Sequence, residues 1–185
     1  MQIAAVILAA GAATRFGSPK QLARIGHRTV LEMVADVALL AGLQPVIAVV
    51  PPGIAVPATV VPEINDAPSD GLSRSLRIGL AAVPVEVDAA VILLGDQPTM
   101  APATIRLILG AAGDDRPVVA ASATGRIGPP ILLRREAFAL ADEVTGDEGL
   151  HSILSRHPDL VTVVEVGEHV PDVDTREDLA SLGEG

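Results

Sequence analysis

Apolar, β-branched runs recur at residues 3–8, 46–50, 59–61, 89–94, 117–121 and 160–166, short and uninterrupted as in strands buried on both faces. Between several of them the apolar positions take helical spacing, over residues 30–40, 72–82, 102–112, 134–144 and 151–156. This alternation predicts an α/β fold: a single-domain, three-layer αβα arrangement with a mostly parallel, Rossmann-like sheet and helices on both faces. No repeat, low-complexity tract or linker divides the 185 residues, so 1–185 reads as one domain. The Gly- and Pro-rich residues 125–130 are too short to link domains and read as a loop at the site.

The longest stretch without a formal charge, residues 37–62, has the hydrophobicity of a membrane span, but Pro45, Pro51, Pro52 and Pro57 forbid that helix. The apolar start, residues 1–14, has no Lys or Arg ahead of it, unlike a secretory leader, and reads as a buried strand. Cysteine is absent, which rules out disulfides and thiolate metal sites and suits a reducing compartment, so the cytoplasm is expected.

The formal net charge of -10 opposes a nucleic-acid or anionic-membrane surface. With no Trp or Tyr and only two Phe, the stacking platforms of single-strand binders are missing too. The charge is uneven, however. No Asp or Glu precedes Glu32, whereas Arg15, Lys20, Arg24 and Arg28 all fall in that opening segment, which suits a small anionic ligand.

In an open parallel sheet, ligands bind beyond the carboxyl ends of the strands. The first such segment is Leu8-Ala9-Ala10-Gly11-Ala12-Ala13-Thr14-Arg15-Phe16-Gly17-Ser18-Pro19-Lys20-Gln21-Leu22. Its small residues let backbone N–H groups approach a ligand, and Arg15 and Lys20 add charge suited to phosphate. Neither G-x-G-x-x-G nor the Walker pattern fits: Gly11 and Gly17 stand one residue too far apart, and Ser18 occupies the place of the Walker lysine. After the strand at 89–94, Gly95-Asp96-Gln97-Pro98 puts one carboxylate at the crevice, where it serves either a turn or Mg²⁺, an ion that prefers oxygen ligands. The segment from Pro171 to Leu179 offers a second carboxylate, and there Thr175 with Glu177 and Asp178 reads as a helix start with acids in its first turn. The four His show no zinc spacing, and no G-x-S-x-G or H-E-x-x-H string occurs.

The opening string fills every fixed position of L-A-A-G-x-x-x-R-x-G-x-x-K-x-L. In this it resembles the nucleotidyltransferases related to molybdenum cofactor guanylyl- and cytidylyltransferases, of the nucleotide-diphospho-sugar transferase type. Residues 65–80 resemble that family's N-x-x-x-x-x-G-[ML]-x-x-S-[LI]-x-x-G motif, closest to its cytidylyl members; residues 95–98 resemble its G-D-x-P metal motif, and residues 172–179 its D-[IV]-D-T-x-E-D-L ending. The resemblance implies nucleotide binding by Leu8, Ala9, Ala10, Gly11, Arg15, Lys20, Asn65, Gly71, Ser73 and Asp96, with Arg15, Lys20 and Asp96 catalytic and Asp96 and Asp174 on Mg²⁺. Ser69 or Ser73 equally reads as a helix cap. Residues 125–132 resemble an acceptor loop that usually runs G-x-x-G-H-P, here with Pro129 in place of the histidine, and residues 145–151 resemble a G-D-x-G-x-[RH] segment. Gly128, Pro130, Asp147 and His151 are thereby implied in acceptor binding, although surface exposure is an equal reading of Asp147 and His151.

The activity this implies is transfer of a nucleoside monophosphate, CMP from CTP first, to a phosphorylated acceptor, molybdopterin first, with pyrophosphate released. Two other readings stay open: a transferase of the same fold using GTP or another acceptor, and a non-catalytic nucleotide-binding accessory to a molybdenum-enzyme apoprotein. In nucleotidyl transfer the enzyme positions and neutralises charge, so Arg15→Ala and Lys20→Ala are expected to fold normally and lose transfer. Facing carboxylates repel without metal, so Asp96→Asn is expected to preserve or raise the stability of the metal-free protein.

Overall fold

The computed structural model describes residues 1–11, 20–113, 115–167, 170–173 and 175–183. Seven strands form one sheet: β1 (Ile3–Leu8), β4 (Val46–Val50), β5 (Val60–Ile64), β6 (Ala89–Leu94), β7 (Val118–Ala123), β8 (Arg126–Arg134) and β9 (Val161–Glu165), in the order β5-β4-β1-β6-β8-β7-β9. All pairings are parallel except those of β8, which runs antiparallel to both β6 and β7. A two-stranded hairpin, β2 (Arg24–Ile25) and β3 (Arg28–Thr29), lies apart from this sheet. The expected three-layer α/β fold is therefore present.

The helices are α1 (Val30–Leu40), α2 (Leu72–Ala81), α3 (Pro102–Gly110), α4 (Leu150–Arg156) and α5 (Arg176–Gly183). Every residue of β4 is buried, as a two-sided strand requires. Alternate residues of β1 face opposite cores: Val6 and Leu8 pack with Leu76 and Leu80 of α2, whereas Ala5 and Ile7 pack with Leu31 and Val34 of α1. In α1, Val30, Leu31, Val34, Ala35 and Ala38 are buried at helical spacing, and each large side chain among them contributes roughly 1.5–3 kcal/mol. Among the described residues no helix is long and apolar enough to cross a membrane.

Thr29 begins α1 with a reciprocal cap, accepting from the Glu32 N–H while the Glu32 carboxylate accepts from the Thr29 N–H. That second bond, chiefly, holds the Glu32 carboxyl below the ordinary glutamate value, with neighbouring Arg24 and Arg28 acting in the same direction. A carboxyl whose pKa is depressed on folding adds stability above its unfolded pKa and loses it as pH falls through the folded one. Glu32→Gln is accordingly expected to match the parent in denaturant midpoint at acidic pH, below that window, and to be the less stable of the two at neutral pH.

The segment 125–130, expected to be a loop, is instead mostly the first half of β8. Ala123 pairs with Arg126 across a two-residue turn, Thr124–Gly125, whose φ values of 53° and 82° are those of a type I′ hairpin. Further along, the pairing slips: Ala120 faces Ile131 but Ala121 faces Gly128, leaving Pro129 and Pro130 opposite no residue of β7. On the other side the β6 ladder reaches only Ile92 opposite Ile131. Proline has no N–H to donate, so the ladder cannot continue through this pair and the sheet parts between β6 and β8. Residues 135–143, expected to be α-helical, form 3-10 turns.

Candidate functional site

From β1 the chain passes to β4 and β5 on one side, while β6 lies on the other, so the strand order reverses between β1 and β6. This is the topological switch point, where the carboxyl ends of two neighbouring strands open a crevice. Leu8, Ala9 and Ala10 are buried at its floor, with Gly11 exposed above them. The Ala9 N–H donates to Val49 O at 2.9 Å and the Gly95 N–H to Leu8 O at 2.9 Å, so the turns after β1, β4 and β6 are fastened together.

Lys20 and Asp96, 76 residues apart, meet at this crevice: Nζ donates to Oδ2 at 2.5 Å, with side-chain exposures of only 13% and 20%. Asp96 Oδ1 is buried and accepts no hydrogen bond from the described residues. A buried anionic oxygen with spare lone pairs suits a hard divalent cation, so Asp96 fits as one ligand of such an ion, although the described residues bring no group of three His, Asp or Glu together. Asp174 and Arg15 lie outside the described residues. The residue before Asp174 is described: the Val173 N–H donates to Asp96 O at 2.8 Å, and Gln97 Nε2 donates to Asp172 Oδ1 at 2.9 Å, so the C-terminal segment is tied to the turn after β6. Thr175 and Asp178 cap each other at the start of α5, as the helix-start reading expects.

Asn65 is fully buried, and its amide is committed to its own loop. Nδ2 donates to Ser75 Oγ at 3.0 Å, while Oδ1 accepts from Ala67 N at 3.1 Å and Arg74 Nε at 3.0 Å. The structure thus gives Asn65 the task of shaping the turn between β5 and α2. Asn65→Ala is expected to cost about 2 kcal/mol, because it unpairs the buried Ser75 hydroxyl and the half-buried Ala67 N–H and takes an acceptor from Arg74, and urea denaturation measures the loss. Ser73 is also buried, but it does not cap α2: the N-cap is Gly71, with no side-chain cap bond. The Ser73 N–H instead donates to Gly146 O at 3.0 Å.

Gly71 has φ 89° and ψ -177°, a backbone region open to glycine alone. A Cβ there would lie 2.2 Å from the carbonyl carbon of Gly146 and 2.7 Å from the Asp147 nitrogen. The segment 145–149 therefore sits directly on the first turn of α2, with Arg77 Nη1 donating to Val144 O at 3.0 Å just before it. Asp147 itself is exposed, and lines neither of the cavities at the parted sheet edge; His151, Gly128 and Pro129 line both, and Pro130 lines one.

Sequence reasoning missed Gln21 and Gln97. Gln21 is buried between Lys20 and Leu22, and its Nε2 donates to Ala9 O and, at 3.4 Å, to Gly11 O, holding the loop after β1 in shape. A glutamine in a loop reads as exposed, and the only signal was its place beside Lys20. Gln97 offered the same weak clue beside Asp96.

The mostly parallel sheet flanked by helices is that of the nucleotide-diphospho-sugar transferase fold, which solved structures of that type share with it. Residues 5–161 match the model of the MobA-like NTP transferase domain, and the chain belongs to that family. The crystal structure of Rv0371c from Mycobacterium tuberculosis H37Rv is 31% identical with a TM-score of 0.85, the alignment covering 100% of this chain and 99% of that one. A manganese complex of Rv0371C from the same organism aligns with a TM-score of 0.79 at 31% identity and the same coverage. The fold also matches CMP:2-keto-3-deoxy-manno-octonic acid synthetase complexed with CTP, at 18% identity and TM-score 0.74, covering 100% of this chain and 98% of that one. A comparison with curated proteins gave no match.

Proposed function

We propose that this protein is a Mg²⁺-dependent nucleotidyltransferase that moves CMP from CTP to a phosphorylated acceptor, molybdopterin first among candidates, and releases pyrophosphate. The observation that carries the proposal is the Lys20–Asp96 pair at the switch point, with Asp96 Oδ1 left open. Family membership supports the reaction class, and the manganese complex of Rv0371C supports a divalent ion.

In this reaction an acceptor phosphate oxygen attacks the α-phosphorus in line, and the bond to the leaving pyrophosphate breaks. No protein nucleophile is needed, so catalysis consists of positioning and charge neutralisation. Lys20, with Arg15, holds the triphosphate near the leaving group. Backbone N–H groups of Ala10 and Gly11 approach the nucleotide, in a loop whose carbonyls Gln21 holds, while Ala9, its own N–H bonded to Val49 O, forms the floor beneath them. Gly71 and Ser73 border the base, and Asn65 acts on it through the loop it braces. Asp96 and Asp174 hold the metal, which supplies positive charge to the phosphate oxygens. Gly128, Pro130 and His151 face the acceptor, with Asp147 on the rim.

Pyrophosphate release from CTP, GTP and ATP, each with and without molybdopterin and with EDTA as a control, tests this reading. CTP with molybdopterin and Mg²⁺ is expected to give the fastest release. GTP winning at equal concentration would make the protein a guanylyltransferase of the same fold. Nucleotide binding without release under any condition would make it an accessory, with a molybdenum-enzyme apoprotein as its partner.

A further inference from the structure

Two cavities meet where β6 and β8 part. One, of about 160 Å³, lies on the side of α2 and α4 and is walled by Leu8, Leu72, Leu76, Ile92, Ile131 and Leu150. The other, of about 250 Å³, lies on the side of α3 and carries Gln97, Thr104, Arg126 and Asp172. Leu94, Ile127, Gly128, Pro129 and His151 line both, so the two are lobes of one cleft. The cleft exists because the proline pair ends the ladder there.

The lobes differ in chemistry. In the smaller one, Glu148 and His151 are the only polar side chains among the described lining residues; the rest is carbon. The larger one adjoins the Lys20–Asp96 pair, since Gln97 follows Asp96 directly and Asp172 precedes Val173, whose N–H is bonded to Asp96 O. Arg126 brings a cation to this lobe from β8. A reacting phosphate therefore belongs in the polar lobe, and the body that carries it reaches past His151 into the apolar one. A hydroxyl buried against Leu76 and Ile131, away from Glu148 and His151, would lose its water and gain no partner, whereas carbon surface gains from the same burial.

We propose, resting on the transfer reading above, that the acceptor is a phosphate monoester whose body presents carbon surface, a ring face or an alkyl segment, to the apolar lobe, and that hydroxylated sugar phosphates are excluded by that lobe. A matched pair tests this without nucleotide. Cyclohexylmethyl phosphate and glucose 6-phosphate both carry a six-membered ring on a CH₂–O–phosphate, but only the second bears ring hydroxyls. Methyl NMR supplies the reporters, Ile131 in the apolar lobe and Met100 in the polar one.

The carbocyclic phosphate is expected to shift both methyl signals and to bind roughly tenfold or more tightly than glucose 6-phosphate, a gap of the size that burying a few methylenes provides. Inorganic phosphate is expected to move Met100 alone. Leu72→Trp, which fills the apolar lobe, should abolish the preference while leaving the response to inorganic phosphate, and Arg126→Gln should weaken both organic phosphates. Equal binding of the pair by the wild-type protein, tighter binding of glucose 6-phosphate, or shifts confined to methyls outside the cleft would overturn the assignment. Tight carbocycle binding with no pyrophosphate release from CTP under any condition would instead sink the transfer reading and leave the lobe assignment standing.

Discussion

Asp96→Asn is expected to lower transfer turnover roughly 10²- to 10³-fold, the scale seen when one preorganised charge-stabilising group is removed. The same substitution is expected to destabilise the metal-free protein by about 2 kcal/mol, because it replaces a largely buried, charge-assisted contact to the Lys20 ammonium by a neutral one. The expectation drawn from two repelling carboxylates took no account of a lysine at 2.5 Å from Asp96, and its other carboxylate, Asp174, lies outside the described residues. Lys20→Ala should behave alike on both counts, folding but with measurable loss of stability. The double variant should be less destabilised than the sum of the two, since both break one interaction. Steady-state pyrophosphate release and urea denaturation of the metal-free proteins give the two readings. Normal turnover of Asp96→Asn would remove this carboxylate from the mechanism.

The largest effect on stability is expected from Gly71→Ala, at about 3 kcal/mol or more. Two penalties combine. Alanine has to enter a backbone region closed to side chains, and its Cβ has to displace backbone rather than a flexible side-chain end, because Gly146 and Asp147 stand in its place. The loop cannot yield without breaking the Ser73 N–H to Gly146 O bond. Thermal and urea unfolding measure the change, and a loss below about 1 kcal/mol would show that the segment 145–149 gives way freely. Gly71 was singled out from the sequence as a base-binding residue; the contact the structure shows is loop against loop, and the nucleotide role rests on that packed turn.

Strands and helices were legible where burial alone decides the pattern. The runs at 3–8 and 89–94 coincide with β1 and β6, because a strand covered on both faces is apolar throughout. Asp96 was legible for a related reason, as a polar residue just beyond a buried strand, whereas Lys20, twelve residues past the end of β1, stood out as a cation in an opening segment without acids. β8 was not, since Gly128, Pro129 and Pro130 carry loop chemistry, and only pairing with Ile92 and Ala120 nearby shows that the chain continues as a strand in mid-sheet. Nor could periodicity reveal that Asn65, Gln21 and Gln97 are buried, because each is held by side-chain hydrogen bonds within irregular loops, which no strand or helix period encodes. The short hairpin of β2 and β3, two residues a side, is too brief to leave a pattern at all.

The pairing of Lys20 with Asp96 also bears on which species the crevice admits. The ammonium and the carboxylate neutralise one another in contact, so a divalent ion arriving alone has to compete with the lysine for the same carboxylate. A triphosphate arriving alone has to compete with the carboxylate for the lysine. When ion and nucleotide arrive as one complex, each half of the internal pair exchanges its partner for another of the same sign, and no charge is stranded. In the proposed reaction the crevice thus acts as a charge-exchange filter, favouring the preassembled metal–nucleotide complex over either component by itself.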